Sequence, residues 1–227
     1  MTRIRIQFPM SRTELLPFDP QAEFSVVERR LPHWSQAGAV AFITWRTWDS
    51  MPRVVVDRWI AERENWLRDH GIDPESDWKP LIDRLPPEQQ RELQRIMAER
   101  WDQELDHCHG RCVLRDPQAA RIVGESLRHF DGDRYSMSDF VVMPNHVHVL
   151  ASFCDHDGML KQCDSWKHYT AVRLNKLVGR RGRFWEVDAF DRLVRDADEF
   201  EHYRRYIADN PRRARLRPGE YLHYARS

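Results

Sequence analysis

The chain has 227 residues, 41% of them hydrophobic and 11% aromatic, with 36 Lys+Arg balanced by 36 Asp+Glu. That composition excludes an intrinsically disordered protein, and no apolar run approaches the ~20 residues that a membrane helix needs. No signal-peptide-like hydrophobic region follows Met1 and the four cysteines suit free thiols, so a cytoplasmic protein with no membrane partner is expected.

Residues 1–37 read as irregular, punctuated by Pro9, Pro17, Pro20 and Pro32. Residues 39–47 are β-branched and aromatic and predict a first strand. Helical patterns over 54–70 and 87–107 flank a stretch containing Pro74, Pro80, Pro86 and Pro87. This acidic block, about 51–107, reads as a helical insertion between the first strand and the rest of the sheet. Next comes His107-Cys108-His109-Gly110-Arg111-Cys112. A zinc site on Cys108, His109 and Cys112 would lack a second ligand pair at finger-like spacing, so free thiols are expected.

Asp116-Pro117 is a helix start, with Asp as the cap and Pro as the first helical residue. Ala119, Val123, Leu127 and Phe130 mark its apolar face, and Asp131-Gly132 closes it. Tyr135–Met143 predicts a second strand, Pro144-Asn145 a turn, and His146–Phe153 a third strand. A helix follows over Leu160–Val178 with Gly179 as its stop. Residues 180–195 read as a basic loop carrying Phe184, Trp185 and Phe190. The last helix spans about Ala197 to Asn210, capped by Asp196, with Glu199 at the capping-box position and Pro211 ending it. The order predicts a single α+β domain over 1–227, an antiparallel sheet with helices packed on one face.

The run Val141-Val142-Met143-Pro144-Asn145-His146-Val147-His148-Val149-Leu150 carries the chemistry. In a strand, residues i and i+2 share a face, so His146 and His148 present their imidazoles side by side while Val147 and Val149 face the core. Two ionisable rings in so apolar a strand cost stability without partners, and a divalent metal suits two parallel imidazoles. On the final helix, Phe200, Tyr203 and Ile207 form the core stripe. Tyr206 lies at its edge, with Asn210 one turn further on the same side. A phenol and an amide oxygen can thus meet at one locus, although spacing does not exclude Tyr169 or Tyr203 as the nucleophile.

These segments resemble the HUH single-tyrosine transposases, most closely the REP-associated tyrosine transposases. The matching runs are Leu31-Pro32-His33-Trp34, Phe42-Ile43-Thr44-Trp45-Arg46, Phe140–Leu150, Ser165-Trp166-Lys167-His168-Tyr169-Thr170, Gly182-Arg183-Phe184-Trp185, Phe190–Asp196 and Tyr206-Ile207-Ala208-Asp209-Asn210-Pro211. The resemblance implies a ferredoxin/RRM-like HUH core, with His146 and His148 as metal ligands, Asn210 as the third ligand and Tyr206 as the nucleophile. It implies Mg²⁺ or Mn²⁺ as cofactor, imidazole ligation favouring Mn²⁺. The implied reaction is cleavage and rejoining of single-stranded or hairpin DNA, REP-like, through a covalent 5′-phosphotyrosine. It leaves open a monomer or homodimer, and whether Tyr206 meets the histidines within one chain or across two.

Residues 161–227 hold 16 Lys+Arg against 10 Asp+Glu, whereas residues 51–107 hold 9 against 14. A basic C-terminal third can bind a polyanion locally. Lys167, Arg173, Lys176, Arg180, Arg181, Arg183, Arg192, Arg195, Arg204, Arg205, Arg212 and Arg213 are candidates for phosphate contacts, and Phe184 and Trp185 for base stacking, with core packing favoured for Trp185. Two other functions fit the same residues: a hairpin-binding protein without catalysis, and a metal-dependent phosphodiester hydrolase in which Tyr206 is structural.

Overall fold

The computed structural model describes residues 16–19, 21–22, 25–28, 32–154, 158–187 and 189–226. The prolines at 9 and 20, Leu31 and the segment after Met1 lie outside them. Strands β1 (Ser25–Glu28) and β2 (Pro32–Ser35) pair as an antiparallel ribbon where an irregular segment was expected. The main sheet holds β3 (Val40–Arg46), β4 (Tyr135–Val142), β5 (His146–Phe153), β6 (Phe190–Leu193) and β7 (Leu222–Ala225). Its order is β6-β3-β5-β4-β7, antiparallel throughout, with β5 at the centre. The edge strands β6 and β7 are absent from the sequence reading. Each is four residues long and only partly buried, too short to carry a periodic signal.

One sheet face carries Ile43, Trp45, Tyr135, Met137, Phe140, Val142, Val147 and Val149. It packs on α4 (Pro117–Arg128) and α5 (Gly158–Leu177) through Ala119, Val123, Leu127, Met159, Cys163 and Trp166. Asp116 caps α4 as its sequence predicts, its Oδ1 accepting from the N–H groups of Gln118 and Ala119 at 2.7 and 3.1 Å. Trp166 is 2% exposed and stacks on Trp45 at 5.8 Å between centroids. Trp166→Ala should destabilise the fold by about 3–5 kcal/mol. Urea unfolding checks this, and a loss under ~1 kcal/mol would refute Trp166 as a core anchor.

The opposite face carries Val40, Phe42, Val141 and Leu150 and packs on α6 (Ala197–Arg213) through Ile207, Phe200, Tyr203 and Tyr206. Helices therefore cover both faces, not one. A β-bulge between Met137 and Asp139 decides part of this. Before it, Tyr135 and Met137 face α4 and α5. The extra residue shifts the alternation, so Phe140 and Val142 keep that face and Asp139 turns to α6. There Asp139 accepts from Arg204 Nε at 3.0 Å while 2% exposed, tying α6 to the sheet. The Arg204 guanidinium is held charged above its usual range by that bond.

Helix α6 runs through Pro211 to Arg213 instead of stopping at Asn210. Proline lacks the N–H that would reach the Ile207 carbonyl, but the turn closes around it: Ala214 N–H donates to Asn210 O at 3.0 Å and Leu216 N–H to Pro211 O at 2.9 Å. Pro211 itself is buried, and that packing offsets the lost bond. The insertion forms α1 (Arg53–Asp69), a single turn α2 (Lys79–Ile82) and α3 (Pro87–Asp106). It has a small core of its own at Met51, Val55 and Leu105.

Candidate functional site

His146 and His148 lie on the α6 side of the central strand, 0% and 1% exposed, with ring centroids 4.7 Å apart. The alternation that buries Val147 and Val149 in the larger core forces this. Thr44 is in register with His148 on β3, and its Oγ1 meets His148 Nδ1 at 2.7 Å. Asn145, fully buried in the β4–β5 turn, places Oδ1 at 2.8 Å from His146 Nδ1. Its Nδ2 donates to the His109 carbonyl at 2.9 Å. A carbonyl only accepts, so the amide nitrogen must face His109 and the amide oxygen must face His146. His146 Nδ1 therefore carries the proton, and Nε2 presents a bare lone pair.

That Nε2 has no hydrogen-bond partner among the described residues, and neither does the buried Oδ1 of Asn210. An unsatisfied buried polar atom costs about 1–3 kcal/mol, so two at one locus ask for a ligand. Asn210, 0% exposed on α6, sets Nδ2 at 3.4 Å from His148 Nε2. The Tyr206 ring meets the His148 ring edge-to-face at 5.1 Å. The Arg213 guanidinium lies 5.0 Å over the Tyr206 ring and pairs with Asp106 at the end of α3, 3.2 Å away. One chain thus brings His146, His148, Tyr206 and Asn210 together. The rival tyrosines are elsewhere: Tyr203 stacks on Phe42 at 4.2 Å, and Tyr169 is 49% exposed on α5, across the sheet.

Burial pushes His146 down to about 3, against a smaller opposing effect of the Asn210 amide beside it. Burial, then the charges of His146 and Arg213, holds His148 well below its ordinary range. Both rings are neutral in the fold, as metal ligation requires. A depressed histidine contributes stability that is complete above the unfolded value near 6.5 and is lost as pH falls toward the folded value. Metal-stripped protein should therefore lose stability as pH falls from 6.5 toward 3, by ~1.4 kcal/mol per pH unit for His146, with His148 adding a loss of the same sign. Urea midpoints across that range test it, and a flat profile would show that the rings are not buried neutral.

The basic candidates divide by partner. Lys176, Arg181 and Arg205 are exposed, and so is Arg195. Arg173 lies over Tyr169 at 5.7 Å and Arg180 over Trp48 at 5.8 Å, each beside an exposed aromatic ring. Arg192 pairs with Glu199, Arg183 with Glu186 and Arg212 with Asp209, while Lys167 donates to the Val187 carbonyl. Arg204 belongs to the Asp139 pair. Phe184 and Trp185 are 3% and 4% exposed, and Trp185 Nε1 donates to Thr170 Oγ1 at 2.9 Å. Both are core residues and neither is placed to stack on a base.

A second group of donors lies at the end of the insertion. One ligand atom from each of Glu104, His107 and His109 falls within 4.8 Å of the others, a set that could hold a metal ion. Cys112 Sγ instead donates to the Cys108 carbonyl at 2.7 Å, turned into its own loop. The cysteines are free thiols, and the His109 imidazole joins Glu104 rather than a Cys108–Cys112 site. The signal was present as Glu104-x-x-His107-x-His109, three donors across a helix end. Thr44 and the Asn145 side chain were also missed, since their roles depend on cross-strand and loop contacts.

Comparison with protein-family models and with curated proteins finds no match. Among solved structures, one of a REP-associated tyrosine transposase bound to a REP hairpin aligns over 79% of this chain and 70% of its own, at 11% identity and a TM-score of 0.39. A likeness at that level establishes neither family nor activity. Among the described residues, no helix is long and apolar enough to cross a membrane.

Proposed function

We propose that this chain is a single-domain, metal-dependent strand-transfer enzyme for single-stranded or hairpin DNA. It cleaves and rejoins through a covalent 5′-phosphotyrosine on Tyr206. The observation that carries this reading is the pair of unpartnered buried atoms, His146 Nε2 and Asn210 Oδ1, beside the Tyr206 ring. Two neutral imidazoles and an amide oxygen fit a divalent ion, Mn²⁺ better than Mg²⁺. When bound, such an ion supplies positive charge to the non-bridging oxygens of the scissile phosphate.

Asn145 and Thr44 hold the two rings through Nδ1 and leave Nε2 inward. Tyr206 is the half-buried member and marks the side on which the site meets solvent. Neither imidazole touches solvent, so phosphate entry must displace part of the cover that Tyr206 and Arg213 provide. Tyr206 Oη forms a bond to phosphorus as the bond from phosphorus to the DNA 3′-oxygen breaks. The phenol loses its proton and the departing oxygen gains one, leaving a free 3′-hydroxyl. Attack by a 3′-hydroxyl on the phosphotyrosine reverses the step and restores the phenol, so strands can be joined without another energy source.

A flexible single strand can bring its phosphate into so small a site where a duplex cannot. Lys176, Arg181, Arg195 and Arg205 are the exposed cations proposed to meet the backbone, with Arg173 alongside Tyr169. Arg183, Arg192 and Lys167 join them if DNA replaces their present partners. The tyrosine and its neighbours come from one chain, so a second copy is not needed to complete that set. The test mixes full-length protein with labelled hairpin DNA and Mn²⁺, then runs a denaturing gel. A metal-dependent protein–DNA adduct is expected. Cleavage without an adduct would indicate a hydrolase, and binding without either would indicate a binding module.

A further inference from the structure

We infer that Glu104, His107 and His109 form a second metal site, for a zinc-class ion, that pins the end of the helical insertion beside the His146 turn. Glu104 Oε2 is 2.8 Å from His109 Nε2 and 3.5 Å from His107 Nδ1. Donors around tetrahedral zinc, at ~2.0–2.2 Å from the ion, stand ~3.3 Å apart, so the two distances bracket what the ion requires. The third pair is within 4.8 Å, and closing it takes a small rotation of the exposed His107. Two imidazoles and a carboxylate suit zinc, cobalt or nickel over magnesium or calcium. Water completes the fourth position.

Glu104 is 8% exposed, and its other oxygen lies 3.6 Å from Arg58 Nη1, which orients the carboxylate as outer partners of metal ligands do. The loop the ion would close is conformationally costly. Cys108, Gly110 and Cys112 all take positive φ, at 52°, 86° and 51°. For the two non-glycine residues this left-handed backbone is strained. A Cβ at Gly110 would stand 2.5 Å from the Asp49 carbonyl oxygen, so the loop has no room to relax there. The same loop supplies the His109 carbonyl that fixes Asn145, and through Asn145 the proton on His146. The ion thus sits two residue contacts from the candidate site without belonging to it, and its existence does not depend on the DNA chemistry.

Metal-stripped full-length protein is titrated with Co²⁺ and then Zn²⁺, following the cobalt visible bands and the bound stoichiometry. His146→Ala/His148→Ala should retain one equivalent with a nitrogen–oxygen spectrum. His107→Ala, at an exposed position that leaves folding intact, and Glu104→Gln should each weaken that equivalent by at least ~100-fold. Should the histidine-pair variant not fold, His107→Ala alone in the wild-type background reads the loss of one equivalent. Unchanged stoichiometry in His107→Ala would overturn the proposal and leave an ion-pair cluster only. A thiolate charge-transfer band that disappears in Cys108→Ser/Cys112→Ser would overturn it in favour of a cysteine site.

Discussion

Tyr206→Phe should abolish the covalent adduct and lower strand cleavage by at least ~10³-fold, with folding and DNA binding retained. The phenyl ring keeps the edge contacts that Tyr206 makes with His148 and Phe42, at 5.1 and 5.7 Å, so the packing of α6 survives. Only the phenolic oxygen is removed. Tyr203→Phe and Tyr169→Phe should change the rate less than ~3-fold, because the Tyr203 ring stacks on Phe42 and Tyr169 is exposed on α5, on the other side of the sheet. Single-turnover cleavage of a labelled hairpin measures all three. A Tyr206→Phe enzyme that still cleaves at near wild-type rate would end the tyrosine mechanism and favour hydrolysis.

Mn²⁺ should raise the melting temperature of metal-stripped wild-type protein by about 5–10 °C at 100 times its Kd. The gain arises because a ligand that binds only the folded state adds RT ln(1 + [L]/Kd), ~2.7 kcal/mol at that ratio, and because it satisfies two buried atoms left unpaired. His146→Ala and Asn210→Ala should each lose the shift, and with it metal-dependent cleavage. His107→Ala should keep it, which separates this site from the one at the insertion. Scanning calorimetry with and without Mn²⁺ decides the matter. A shift that survives in both His146→Ala and Asn210→Ala would place the ion elsewhere.

The insertion is more than an appendage in these terms. Asp106 at the end of α3 holds Arg213 over Tyr206, and the next loop holds Asn145. Its acidic composition gave no hint of either contact, since each joins residues far apart in the chain.

Short-range patterns settled much of this protein in advance. The His-x-His alternation on a valine strand places both rings on one face because a strand repeats every two residues. Asp116-Pro117 starts α4 and Asp196 with Glu199 starts α6 because a cap acts within one turn: Asp196 Oδ1 accepts from the Glu199 N–H at 2.7 Å, and Glu199 reaches back to the Arg195 N–H. The four-residue step from Tyr206 to Asn210 likewise needs only helix geometry. What periodicity does not encode is which sheet face each helix covers. The bulge before Asp139 and its ion pair with Arg204 draw α6 to the face opposite α4 and α5, and only there does Tyr206 meet His148. Pro211 inside a helix, the short edge strands β6 and β7, and the burial of Phe184 and Trp185 were decided the same way, by packing that outweighs local preference. The proton on His146 is the sharpest case. It is set by a carbonyl 37 residues earlier in the chain, acting through one asparagine, and a contact of that range exists only once the chain has folded.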